Sequence, residues 1–244
     1  MFERHLSDDI LTLRLAHGKA SALDLELSES LRIELETVAK NPRARAVILT
    51  GTGSIFSAGV DLPRLVDAGG DYVERFVGAL DALLRAMFLF PRPMVAAING
   101  HAIAGGALMA FACDYRLMSS GRIGVPEALV GVPFPPLALE IVRYTIPVQH
   151  LQSMIYLAKT IEAKPARTMG IVDEVVSSDQ LLSRARAIAA QLADIPPAAF
   201  ALTKRQLREP YLREARSDEI VALWSSPVIH DRIRAYLAKT IGKR

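Results

Sequence analysis

Cysteine is nearly absent from this sequence: Cys113 is the only one in 244 residues. That excludes an intrachain disulfide framework and any cysteine-based metal cluster. Aromatic residues are also scarce, at 6%. Net charge is small, +3 from 29 basic and 26 acidic residues. A nucleic-acid surface needs a broad basic face with groove-reading or stacking elements, and here the excess is local. Residues 201–244 carry ten basic and five acidic side chains against 19 and 21 in residues 1–200. The asymmetry predicts a local anion site near the C-terminus and no nucleic-acid partner. The first residues carry charges of both signs with no apolar run behind them, so the expectation is a cytoplasmic protein without a secretory leader.

One stretch, Pro93 to Cys113, has no formal charge and is long enough to suggest a membrane span. Its centre holds Asn99, Gly100, His101, Gly105 and Gly106, which would break a helix and put polar groups in lipid. A buried strand, a glycine-containing turn and a buried helix beginning near Ala107 fit better, and no membrane partner is expected. Length and a 51% hydrophobic content suit one domain with a substantial core.

Short β-branched runs predict strands at Ile10 to Leu15, Ala46 to Thr50, Met94 to Ile98, Tyr115 to Met118 and Ile171 to Val176. Helical spacing places Leu27, Leu31, Leu35 and Val38 on one face, and Tyr72, Phe76, Leu80, Leu83 and Met87 on another. Ser177 and Gln180 have capping-box spacing ahead of a helix carrying Leu181, Ala185, Ile188 and Leu192. The chain reads as α/β, with a mainly helical final portion.

Familiar catalytic signatures fail one by one. In GTGSIF, Gly51 to Phe56, the third glycine of a dinucleotide loop is replaced by Phe56, and no Lys-Ser or Lys-Thr pair makes a phosphate loop. His5, His17, His101, His150 and His230 have no metal-ligand spacing, and no serine sits in G-x-S-x-G. No metal is expected. What remains are two small-residue turns after strands, GSIFSAGVDL (Gly53 to Leu62) and NGHAIAGGA (Asn99 to Ala107), together with Glu127 in the apolar stretch IGVPEALVGVPFP. Each turn alone could be an ordinary tight turn, and Glu127 alone an exposed residue of a first helical turn. Together they suggest backbone N–H groups open to a ligand oxygen, and a glutamate whose pKa is raised for proton transfer.

The order of these pieces resembles the crotonase, or enoyl-CoA hydratase/isomerase, superfamily. The match rests on RAVILTGTGSIFSAGVDL, PRPMVAAINGHAIAGGALMAFACDYRL, IGVPEALVG and KPARTMGIVDEVV, which together run along nearly the whole chain. The resemblance implies a spiral of ββα units over residues 1–190 and a helical region over 191–244 belonging to the same domain. It also implies a homotrimer or pair of trimers and an acyl-CoA substrate whose thioester enolate is stabilised. Carried over by position, it assigns the two oxyanion N–H groups to Ala58 and Gly105. Gly59, Val60 and Asp61 would lie along the CoA, and Tyr236 and Lys239 near its adenine and 3′-phosphate. Lys239 could equally be a solvated helix charge.

One position departs from the pattern. Hydratases resembling this chain use a second glutamate, and here that position is Leu108. Glu127 alone suits a Δ3,Δ2-enoyl-CoA isomerase, with the glutamate shuttling the proton and no cofactor required. The alternatives are a hydratase or other crotonase-type reaction using Glu140 or His101, and a non-catalytic acyl-CoA-binding protein. Phe56, Leu65 and Leu108 are the expected walls of the acyl pocket.

Overall fold

The computed structural model describes residues 1–212 and 218–240. An antiparallel hairpin opens the chain, β1 (Phe2–Ser7) and β2 (Ile10–Leu15). Helix α1 (Leu25–Lys40) follows, its N-terminus capped by the Asp24 carboxylate accepting from the Leu27 N–H at 2.8 Å. Its buried face carries Leu27, Leu31, Leu35 and Val38, as the spacing predicts.

Three rounds of one pattern come next. The first is β3 (Ala46–Thr50), β4 (Ile55–Ser57), α2 (Leu62–Asp67) and α3 (Gly70–Phe88). The second is β5 (Met94–Ile98), β6 (His101–Ile103) and α4 (Gly105–Ala112). The third is β7 (Tyr115–Met118), β8 (Arg122–Gly124), a 3₁₀ turn at Glu127–Leu129 and α5 (Pro136–Thr145). Beyond lie α6 (Val148–Tyr156), β9 (Thr160–Glu162), α7 (Ala163–Thr168), β10 (Glu174–Val175), α8 (Leu181–Ala193), α9 (Pro197–Arg208), α10 (Asp218–Trp224) and α11 (Pro227–Thr240).

Each round gives its first strand to a six-stranded sheet of order β1-β2-β3-β5-β7-β10, and its second to a four-stranded sheet of order β4-β6-β8-β9. This is the ββα spiral implied by the resemblance. In the small sheet β4, β6 and β8 are mutually parallel, so their C-terminal ends meet at one edge. Strands β3 and β5 are buried at every position, as expected where a parallel sheet is covered on both faces. One face packs on α8 through Ile48, Val95, Ala97 and Leu117; the other joins the main core through Val47, Leu49, Met94 and Ala96.

Four of the five expected strands have the bounds read from sequence, and the fifth shrinks to β10. Ile171 and Val172 instead donate their N–H groups to the Ala166 carbonyl at the end of α7. Their apolar character reflects burial in a turn. The capping box does not form: the Ser177 hydroxyl donates to the Gln180 side chain at 3.0 Å. Helix α4 starts at Gly105, two residues earlier than expected, and the boundary expected at residue 190 falls inside α8. No helix among the described residues is long and apolar enough to cross a membrane.

The basic excess of the final segment divides. Lys204 and Arg208 of α9 are buried and both pair with Asp114 at 2.8 Å, which fastens α9 to the start of β7. Arg234 pairs with Asp231 on its own helix, and Lys239 lies exposed in the last turn of α11. Arg213, Arg216, Lys243 and Arg244 lie outside the described residues.

Candidate active site

The three parallel strands of the small sheet deliver the candidate site. Ala58 follows β4 directly, Gly105 lies two residues beyond β6, and Glu127 lies three beyond β8. A single cavity enclosing about 120 Å³ opens where they meet, lined by the Ala58–Val60 turn, Gly105, Leu108, Glu127 and the side chains of Trp224 and Tyr236. Residues up to 69 positions apart in the sequence are thus gathered at one sheet edge.

The first turn is held by the segment before α1. Leu23 donates its N–H to the Gly59 carbonyl at 2.7 Å, and its own carbonyl accepts the Asp61 N–H at 2.9 Å. In this parallel bridge Val60 sits opposite Leu23. The N–H of successive residues in extended chain points to opposite sides, so the Val60 N–H is directed away from Leu23. It has no acceptor among the described residues. The Ala58 N–H, by contrast, donates to the Ala20 carbonyl at 3.0 Å. Ala58 therefore does not offer the first oxyanion donor assigned to it by position; Val60 is the residue of this turn with a free amide. A polarised oxygen cannot claim a donor already satisfied by backbone.

The second turn supplies Gly105, the first residue of α4, whose N–H is one of the unpaired amides of a helix start. Ala104 just before it has φ +52°, a left-handed conformation that non-glycine residues rarely adopt. Its N–H donates to the Gly124 carbonyl at 2.9 Å, tying this turn to the strand that leads to Glu127. The two turns touch. Gly59, at φ +87°, could not carry a Cβ, which would lie 2.6 Å from the Ile103 carbonyl oxygen and 3.1 Å from the Gly105 nitrogen. Close approach of two backbones is what these small residues permit.

Glu127 is the one acid among the described residues lining the cavity. Although the residue as a whole is half-buried, its Oε2 is occluded and has no hydrogen-bond partner among the described residues. Burial penalises the carboxylate more than its own backbone N–H compensates, and pushes its pKa up to about 8. The group is a protonatable acid in an apolar chamber, with two unpaired amides in the turns opposite.

The other sequence-derived candidates fall elsewhere. Glu140 on α5 is paired with Arg143 at 3.0 Å and does not line the cavity. His101 is exposed on β6, in a surface groove of its own. Asp61 caps α2, accepting from the Arg64 N–H at 3.1 Å. Leu108 is a wall of the cavity as expected, whereas Phe56 and Leu65 are core residues away from it. Tyr236 lines the cavity from α11 in its own chain, and Lys239 does not reach it. Trp224 had no sequence signal beyond being the lone tryptophan. It is buried, stands 6.2 Å from the Phe76 ring and closes the apolar side.

Comparison with known proteins identifies the family and the fold. The family model described as enoyl-CoA hydratase/isomerase matches residues 6–223. The mitochondrial enoyl-CoA delta isomerase 1 of Rattus norvegicus is 30% identical over 254 aligned positions, covering 100% of this chain and 88% of that protein. The carnitinyl-CoA dehydratase of Salmonella agona is 31% identical over 202, covering 82% of this chain and 77% of that protein. Among solved structures, human mitochondrial Δ3-Δ2-enoyl-CoA isomerase superposes with a TM-score of 0.95 at 27% identity, covering 100% of this chain and 99% of that one.

Proposed function

This chain belongs to the enoyl-CoA hydratase/isomerase family, and on that footing we propose that it is an enoyl-CoA isomerase, moving a double bond from C3–C4 to C2–C3 of an acyl-CoA thioester. The observation that carries this reading is the solitary Glu127 in a cavity whose remaining wall is apolar apart from unpaired backbone amides, Trp224 and Tyr236. The ionised Glu127 takes a proton from C2. The electron pair released moves toward the thioester oxygen, which accepts hydrogen bonds from the Val60 and Gly105 amides. The same carboxyl returns the proton at C4, and the electrons settle as a C2–C3 double bond. Preorganised amides at a developing oxyanion are each worth about 3–4 kcal/mol of transition-state stabilisation.

Hydration would need a second polar group to hold the attacking water. Leu108 occupies the wall where such a group is required, and its side chain can neither accept a proton nor orient water. Two relatives bearing the isomerase name over nearly the whole chain support the same choice. The proposed chemistry uses neither cofactor nor metal, because stabilising the enolate itself makes the C2 proton acidic enough. Undiminished turnover after exhaustive chelation is the matching test. We propose the acyl-CoA as the sole small-molecule partner, a homotrimer or pair of trimers as the working form, and the cytoplasm as its location. Sedimentation tests the assembly.

The decisive experiment is Glu127→Gln assayed for conversion of a 3-enoyl-CoA to the 2-enoyl-CoA. Loss of turnover with retained binding of the thioester is expected. Near-normal turnover would remove Glu127 as the proton shuttle.

A further inference from the structure

Among the hydrogen bonds that hold the first oxyanion turn, two are made by one side chain. The Ser57 hydroxyl, at the last position of β4, is fully buried. It donates to the Ser21 carbonyl at 2.7 Å and accepts the Gly59 N–H at 3.2 Å. The first bond joins the turn to the segment before α1; the second closes the turn on itself one residue before Val60. Ala58 and Leu23 complete the clamp through backbone bonds to Ala20 and Gly59. Ser21, at φ +44°, presents its carbonyl from a left-handed conformation, and its own hydroxyl accepts the His17 N–H at 3.4 Å.

We infer that the Ser57 hydroxyl is a positioning group for the reaction: by spanning Ser21 and Gly59 it fixes the Ala58–Gly59 peptide, while the Leu23 N–H holds the Gly59 carbonyl, and the two together aim the Val60 N–H at the substrate oxygen. The inference rests on the oxyanion reading of Val60 given above. The physical reason is that the Val60 amide has no partner of its own to hold it. Its direction is set by the Gly59–Val60 peptide, which is held at its carbonyl by Leu23 and follows a glycine at φ +87° with wide torsional freedom, so the bond that fixes the Gly59 N–H bears directly on its aim. Of the polar side chains in this segment, Ser57 is the one whose hydroxyl bonds both sides of the clamp. Removing it leaves the Ser21 carbonyl without its donor and frees the Gly59 amide to turn.

The test pairs Ser57→Ala with two probes, an acyl-CoA thioester and the thioether of the same chain in which a methylene replaces the carbonyl. Misaiming a group by about 1 Å costs up to about a hundredfold in rate. The expected result is therefore a 10- to 100-fold fall in kcat, thioether affinity within about twofold of wild type, and a narrowed preference for thioester over thioether. Ser57→Cys, a weaker hydrogen-bonding group of similar shape, should fall between the two and provides the measurement if the alanine variant folds poorly. A parallel loss of both affinities, or unchanged kcat with an unchanged preference, overturns the inference. If the wild-type protein itself binds thioether and thioester equally, the oxyanion reading fails and this inference with it. Discrimination kept by the wild type and equally by Ser57→Ala overturns the Ser57 role alone.

Discussion

Trp224 donates its indole N–H to the Pro133 carbonyl at 2.9 Å, so a helix near the C-terminus is fastened to the loop that walls the cavity. The bond satisfies a buried donor and fixes the ring as the cavity's apolar limit. A chamber of about 120 Å³ bounded in this way accepts a short segment of chain.

Trp224→Ala is expected to shift preference toward longer acyl chains. One methylene in a hydrophobic pocket changes kcat/KM by roughly 10- to 200-fold. The ratio of kcat/KM for a long-chain over a short-chain 3-enoyl-CoA should therefore rise at least tenfold. An unchanged ratio would place the limit on chain length elsewhere. The variant should also lose about 3–5 kcal/mol of stability through the void it leaves.

The pH dependence follows from Glu127, which must be ionised to take the C2 proton. With its pKa raised to about 8, only a minor share of the free enzyme is ready at neutral pH. The profile of kcat/KM should climb about tenfold per pH unit on the acid side and level off above pH 8. A plateau already reached near pH 5 would mean that the carboxylate is solvated in the working enzyme.

The same residue lowers stability at high pH. Because the folded-state pKa of about 8 exceeds the ordinary 4.5, the folded chain retains a proton that the unfolded chain releases between those values. Stability falls as pH rises through that window and is level above it. Glu127→Gln removes the titration. It should match the wild type near pH 4 and exceed it at pH 8 and above by on the order of 4 kcal/mol. Denaturant midpoints measured across this range check both the sign and the window.

Asp114 holds two buried cations at once, and the consequences of losing it are unequal. Burial drives the Lys204 amine down to about 8, with Asp114 opposing that fall. Asp114→Asn leaves Lys204 and Arg208 unneutralised and should cost about 3–5 kcal/mol, with the greater loss below pH 8 where Lys204 is charged. Adding Lys204→Met to that variant should recover part of the loss in urea unfolding.

Much of the spiral was legible in the sequence. Strands β3 and β5 are almost wholly apolar because both faces are covered, β2 and β7 show as short runs rich in apolar residues that each include an arginine, and α1 and α3 carry their buried stripes at helical spacing. The small sheet was not legible as a sheet. Strands β4, β6, β8 and β9 are three residues each, too short for any alternation to declare itself.

Glu127 and Gly105 could be singled out from sequence because a carboxylate among apolar residues and a glycine pair at a helix start are chemical oddities in one dimension. Sequence also showed that Leu108 stands where the resemblance implies a second glutamate. That Glu140 stays clear of the cavity, leaving Glu127 the one acid among the described lining residues, was decided by the fold. Which amide of SAGVDL is free was decided only by tertiary structure. Every residue in that turn has an N–H, and whether it is spent depends on Ala20 to Leu23, a segment 38 residues distant at the Ala20–Ala58 bond. The closing of the cavity by Trp224 and Tyr236 is of the same kind. Long-range burial and hydrogen bonding belong to pairs of residues, and those pairs exist only once the chain has folded.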